Sequence, residues 1–96
     1  MTNEKKNEKP ETHVDVLVTT TSGAYPQTGT DRVPVNQPVR QQLKAAAKAL
    51  NIVDTTNWVA KVGGNDVDQD KSYAENGLSG SVTIDYGPHE GGGGYE

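Results

Sequence analysis

Gly91-Gly92-Gly93-Gly94, followed by Tyr95 and Glu96, is the stretch of this chain with the most distinctive chemical potential. On composition a glycine run reads equally well as a flexible linker, a frayed end or a functional tail. Its functional asset is thinness: without Cβ atoms, an extended run can thread a narrow channel and present a carbonyl to attack. The other chemistry-bearing groups are sparse. His89-Glu90 supplies two neighbouring ligand types with no third in sight, so a solvated histidine is expected there rather than a metal site. Asp66, Asp68 and Asp70 alternate as in a calcium loop, but the glycine and distal glutamate of such a loop are not at their offsets; a polar turn is expected. Gly77-Leu78-Ser79-Gly80 is too short and misplaced for a phosphate-binding loop. There is no cysteine, which removes disulfides, thiolate metal sites and cysteine nucleophiles together. Two histidines at edge or tail positions form no Ser/His/Asp arrangement, and no carboxylate pair has a buried setting. The expectation is a protein without catalytic residues, bound metal or cofactor.

Bulk properties narrow the partners. Hydrophobic residues make up 31% of the 96-residue chain and Phe is absent, which fits one small domain with a modest core. A net charge of −4 argues against nucleic-acid binding, which needs a positive surface to release counterions. No apolar run approaches the about 18 residues of a membrane span. The first residues, Met1-Thr2-Asn3-Glu4-Lys5-Lys6, lack the apolar stretch of a signal peptide, so a cytoplasmic monomer is expected.

Stepping along the chain, residues 1–12 are polar and aperiodic and read as a flexible extension. Its Lys5, Lys6 and Lys9 are either acceptors for a second modifier or an inert solubilising arm. Val14, Val16 and Val18 then alternate with Asp15, Leu17 and Thr19, the two-residue period of a half-buried strand opened by an edge or surface residue, His13. Residues 22–30 are rich in turn formers and read as a long mobile loop, leading to a second strand around Asp31–Val35. Pro34 cannot donate to a ladder, which puts that strand at an edge or a bulge. Pro38 opens the one convincing helix, in which Val39, Leu43, Ala46, Ala47 and Leu50 form a continuous apolar stripe opposite Arg40, Gln41, Lys44 and Lys48. Asn51 suits a left-handed C-terminal position, with Ile52 as its hydrophobic contact. A third strand, Trp58–Val62, ends in the turn Gly63-Gly64-Asn65-Asp66. Residues 67–80 are turn-rich, with Tyr73, Leu78 and Gly80 as fixed points. Trp58 and Tyr73 are expected in the core or at its rim. Val82, Ile84 and Tyr86 mark a last strand that Gly87-Pro88 ends, with residues 88–96 as a flexible tail. Strand, strand, helix, strand and strand make an α+β domain over residues 13–87, with the first and last strands side by side in the middle of the sheet.

That order is the β-grasp, and the residues of its second half resemble the bacterial ubiquitin-like proteins. The likeness is carried by Trp58-Val59-Ala60-Lys61-Val62, the Gly63-Gly64 turn, Val67-Asp68-Gln69-Asp70-Lys71-Ser72, Glu75-Asn76-Gly77-Leu78-Ser79-Gly80 and Val82-Thr83-Ile84. It covers about residues 13–94 and implies a mixed sheet of four to five strands with one helix packed on one face. It also implies conjugation chemistry. A modifier of this kind is adenylated at its C-terminal glycine by an ATP-dependent activating enzyme, passes to a conjugating enzyme and ends on a target protein through an isopeptide or ester linkage. Gly91, Gly92, Gly93 and Gly94 would be the conjugation tail. Tyr95-Glu96 departs from the finished form, so a processing peptidase would cut between Gly94 and Tyr95. Ubiquitin's apolar partner face is here polar at Thr83 and Asp85, leaving Leu17 and Val59 as the residues from which a partner surface would be built. Two other functions fit the same residues: a non-covalent β-grasp adaptor whose tail is never activated, and a sulfur carrier, against which Tyr95-Glu96 counts.

Overall fold

The structure is a computed structural model that describes residues 12–89. The glycine run, Tyr95 and the N-terminal lysines lie outside the described residues.

Strand β1, His13–Thr20, follows its sequence alternation: Val14, Val16 and Val18 are wholly buried, while Asp15, Leu17 and Thr19 face the other way. Thr20 then reverses the chain. Its Oγ1 accepts the Ser22 N–H and donates to the Gly23 carbonyl, both at 2.9 Å. Gly23, at φ +131°, takes a backbone angle that side-chain-bearing residues rarely adopt. The reversal produces a strand the sequence did not announce, β2 at Gly23–Tyr25, antiparallel to the second half of β1. The turn-rich stretch is therefore partly sheet rather than a long mobile loop. Its three residues are too few to display an alternation. Strand β3, Asp31–Pro34, pairs with the first half of β1 only, so Pro34 sits on an edge as its missing N–H requires.

Helix α1, Val39–Ala49, buries Val39, Leu43 and Ala46, with Ala47 and Leu50 half-buried; Arg40, Gln41, Lys44 and Lys48 are exposed. Pro38 caps the N-terminus without a side-chain hydrogen bond. The helix's first N–H groups go instead to a distant segment: Val39 donates to the Lys71 carbonyl at 3.0 Å and Arg40 to that of Gln69 at 2.9 Å. At the other end, Asn51 stands at φ +59°, donating to the Lys48 carbonyl, and Ile52 donates to that of Ala47 at 2.8 Å. These two bonds make the Schellman closure expected of Asn51 and Ile52.

Strand β4, Trp58–Val62, turns through Gly63 and Gly64 into β5, Asn65–Asp66, a two-residue return that had read as turn alone. Strand β6, Ser81–Pro88, runs on through Gly87 and Pro88, where its end had been expected; Trp58 pairs with Pro88 and Val59 with Gly87. Glycine tolerates the ladder because it keeps its N–H, and Pro88 sits at the strand's final position. The sheet order is β2-β1-β6-β4-β5, with β3 beside β2 on the flank of β1. It has six strands rather than four to five. β1 and β6 run parallel at its centre, and all its other strand pairs are antiparallel. One face carries α1 and the core of Val14, Val16, Val18, Leu43, Ala46, Tyr73, Val82, Ile84 and Tyr86. Each fully buried Val, Leu or Ile contributes about 1.5–3 kcal/mol of transfer free energy. Among the described residues, no helix is long and apolar enough to cross a membrane.

Candidate functional site

The face of the sheet away from α1 is the surface the fold leaves open. Because Val82, Ile84 and Tyr86 point into the core, Ser81, Thr83 and Asp85 of β6 point outward. On β4 the outward pair is Val59 and Lys61, and on β1 it is Asp15, Leu17 and Thr19. The registers fix the rows. Leu17 lies opposite Thr83, Asp85 lies between Thr19 and Lys61, and Val59 lies opposite Gly87. An opposite-charge pair, Lys61 across from Asp85, thus sits at the centre of the face. At one edge Arg32 pairs with Asp15 at 3.4 Å, both partly exposed.

Leu17 and Val59, the two residues proposed for a partner surface, share this face but do not meet. Leu17 aligns with Thr83 and Val59 with Gly87, four positions further along β6 and two strands away. Strand rise and spacing put them roughly 16 Å apart. What Val59 does line is a shallow depression of about 430 Å³ with Thr20, Thr21, Lys61, Asp85, Gly87 and Pro88. Gly87 leaves its floor as bare backbone. A second cleft, of about 350 Å³, adjoins it around Asn57, Trp58, Val59 and His89. Its firm wall is Trp58, half-buried and set edge-to-face on Tyr86 with centroids 5.0 Å apart. The His89 N–H donates to the Asn57 carbonyl at 2.9 Å, carrying the β4–β6 pairing one residue beyond Pro88. Sequence reasoning singled out Val59, which lines the depression. It missed Gly87, Pro88 and Asn57, whose significance depends on a register that no local pattern shows.

The aspartates that alternate in the sequence are used for structure. Asp68 Oδ1 accepts the Asp70 N–H at 3.0 Å in a local turn, and Asp70 binds Arg40 of α1, with Nε at 2.9 Å. Asp66 belongs to β5. Among the described residues no group of three or more His, Cys, Asp or Glu side chains is arranged to hold a metal ion.

No protein-family model and no curated protein sequence matches the chain. Solved structures do. The chain is similar to the N-terminal ubiquitin-like domain in the 4931431F19Rik protein, with 17% identity, TM-score 0.59, and 85% of this chain and 80% of that one covered. It is also similar to a de novo design based on ubiquitin, with 13% identity, TM-score 0.62, and coverage of 80% and 89%. The UBL domain of yeast Ddi1 matches with 18% identity, TM-score 0.54, and coverage of 80% and 92%. At such identities the likeness establishes the fold: an α+β β-grasp of the ubiquitin-like kind.

Proposed function

We propose that the chain is a ubiquitin-like protein modifier, activated at Gly94 after Tyr95-Glu96 is removed and conjugated to target proteins in a bacterial ubiquitination-like pathway. The observation that carries this reading is where the chain leaves the fold. The central strand β6 delivers it at His89, still paired to Asn57, and Gly91 follows two residues later in the sequence. In the ubiquitin-like fold this is the place for a reactive tail. The chemistry belongs to partners. On an activating enzyme the Gly94 carboxylate attacks the α-phosphorus of ATP, releasing pyrophosphate and leaving a glycyl adenylate; a conjugating-enzyme thiol displaces AMP, and a target nucleophile displaces the thiol. The modifier supplies an unhindered tail and a surface to be recognised, for which the depression beside Val59 and Gly87 is the nearest candidate.

Mass spectrometry of the protein recovered from its native host tests this. The expected products are a chain ending at Gly94 and peptides joined to a target through that residue, both abolished by Gly94→Pro. Exclusive recovery of unconjugated chain still carrying Tyr95-Glu96 overturns the reading. A non-covalent adaptor is the second reading, favoured by two of the similar structures being ubiquitin-like domains of other proteins. An adaptor would keep its partner when residues 91–96 are deleted.

A further inference from the structure

Asn76 is the only asparagine of the chain that is followed by glycine. This pairing is the one most open to spontaneous deamidation, because glycine places no side chain in the way of attack by its own backbone nitrogen. Gly77 is required here for another reason: at φ +74° it turns the chain through a conformation that L side chains rarely adopt. The turn that the connection between β5 and β6 needs therefore brings the reactive dipeptide with it.

The fold holds both reacting groups. Asn76 Oδ1 accepts the Asp68 N–H, and Nδ2 donates to the carbonyls of Asp68 and Ser72, all at 2.9 Å. The Gly77 N–H, whose nitrogen is the nucleophile, donates to the Ala74 carbonyl at 3.0 Å. Ser72 and Glu75 lock the same segment reciprocally: the Ser72 N–H donates to Glu75 Oε1 at 2.9 Å and the Glu75 N–H to Ser72 Oγ at 3.1 Å.

We propose that Asn76 is a modification site gated by the fold, converted to aspartate or isoaspartate when the 67–80 connection opens and protected while it is closed. In the open segment the Gly77 nitrogen loses its proton to solvent base and bonds to Asn76 Cγ. The Cγ–Nδ2 bond breaks and the amine leaves as ammonia with a proton from water, closing a succinimide. Water then adds to either ring carbonyl and cleaves its bond to nitrogen. One opening restores the normal backbone with aspartate; the other routes the chain through the side-chain carbonyl as isoaspartate. No oxidant or reductant is needed.

The product does not fit the place it left. A carboxylate can still accept from the Asp68 N–H but has nothing to donate to the carbonyls of Asp68 and Ser72. Isoaspartate also adds a backbone atom to a segment whose Gln69 and Lys71 carbonyls cap α1. Molecules held open long enough are thus marked, and the mark opposes reclosure.

The test follows amide-to-acid conversion at Asn76 by peptide mapping of the full chain at mildly alkaline pH, with and without denaturing urea. Native protein is expected to react about a hundredfold more slowly than unfolded protein, the suppression of a local opening well short of free fraying. In urea, Asn76 should outpace Asn57 and Asn65, which precede Trp58 and Asp66. Ser72→Ala, which removes one hydrogen bond from the lock, should raise the native rate about fivefold and leave the rate in urea unchanged. Equal native and unfolded rates, parity of Asn57 with Asn76 in urea, or an unmoved native rate in S72A would each overturn the proposal.

Discussion

Tyr73 is the residue at which packing and polarity conflict most plainly. Its side chain is wholly buried, and its hydroxyl has no hydrogen-bond partner among the described residues. A buried unsatisfied hydroxyl costs about 1–3 kcal/mol, so Tyr73→Phe should raise stability by about 1 kcal/mol in urea titrations near neutral pH. Burial first, and the negative charge of Asp31 second, push the phenol above its ordinary range. The folded value exceeds the unfolded one, about 10, so the associated stability is fully present below that pH and is lost as pH rises beyond it. The wild type should therefore lose stability above about pH 10 more steeply than Y73F, read from urea midpoints across the alkaline range. Gln42 shows the limit of residue-level reading. It is buried and donates to Asp31 Oδ2 at 2.8 Å; three positions after Val39 it shares the buried face of α1, yet its polar side chain hides it from a reading that follows apolar residues alone. Tyr73, by contrast, was legible as a core residue because it is the one aromatic side chain in an otherwise polar, turn-rich stretch.

Elements closed by local rules were read well, and those closed by distant partners were not. The end of α1 was visible in Asn51-Ile52 because a Schellman turn is written in adjacent residues. Asn51→Gly should match or exceed wild-type stability, whereas Asn51→Ala should lose about 1 kcal/mol from its left-handed angle, measured by thermal or urea unfolding. The start of α1 was legible in Pro38, but its capping was hidden: its first N–H groups are satisfied by carbonyls some thirty positions away, beyond any window of sequence. β2 and β5, of three and two residues, were missed for a related reason: such strands exist only through pairing with β1 and β4. The same dependence on register hid the depression beside Gly87, which Val59, singled out from the polarity of Thr83 and Asp85, also lines. The proposed conjugation tail could be named only from sequence, since it lies outside the described residues.

Across the whole molecule, stability is concentrated where β1 and β6 lie side by side. Ile84 is wholly buried in the middle of β6. Ile84→Ala should cost about 2–5 kcal/mol, a large share of what a domain this small possesses, and would show as a urea midpoint shifted far down at an unchanged slope. Pairing the first strand with the last has a further consequence, for synthesis. Val14, Val16 and Val18 are translated well before their neighbours Val82, Ile84 and Tyr86, with the rest of the sheet between them in sequence. Until β6 emerges, β1 has partners on one flank only, and the apolar row it presents is uncovered by its central neighbour. The nascent chain therefore carries a half-built sheet between the synthesis of β1 and that of β6 and gains its cooperative core only when β6 joins, a topology of long-range contacts that slows folding and leaves apolar surface open in the interval.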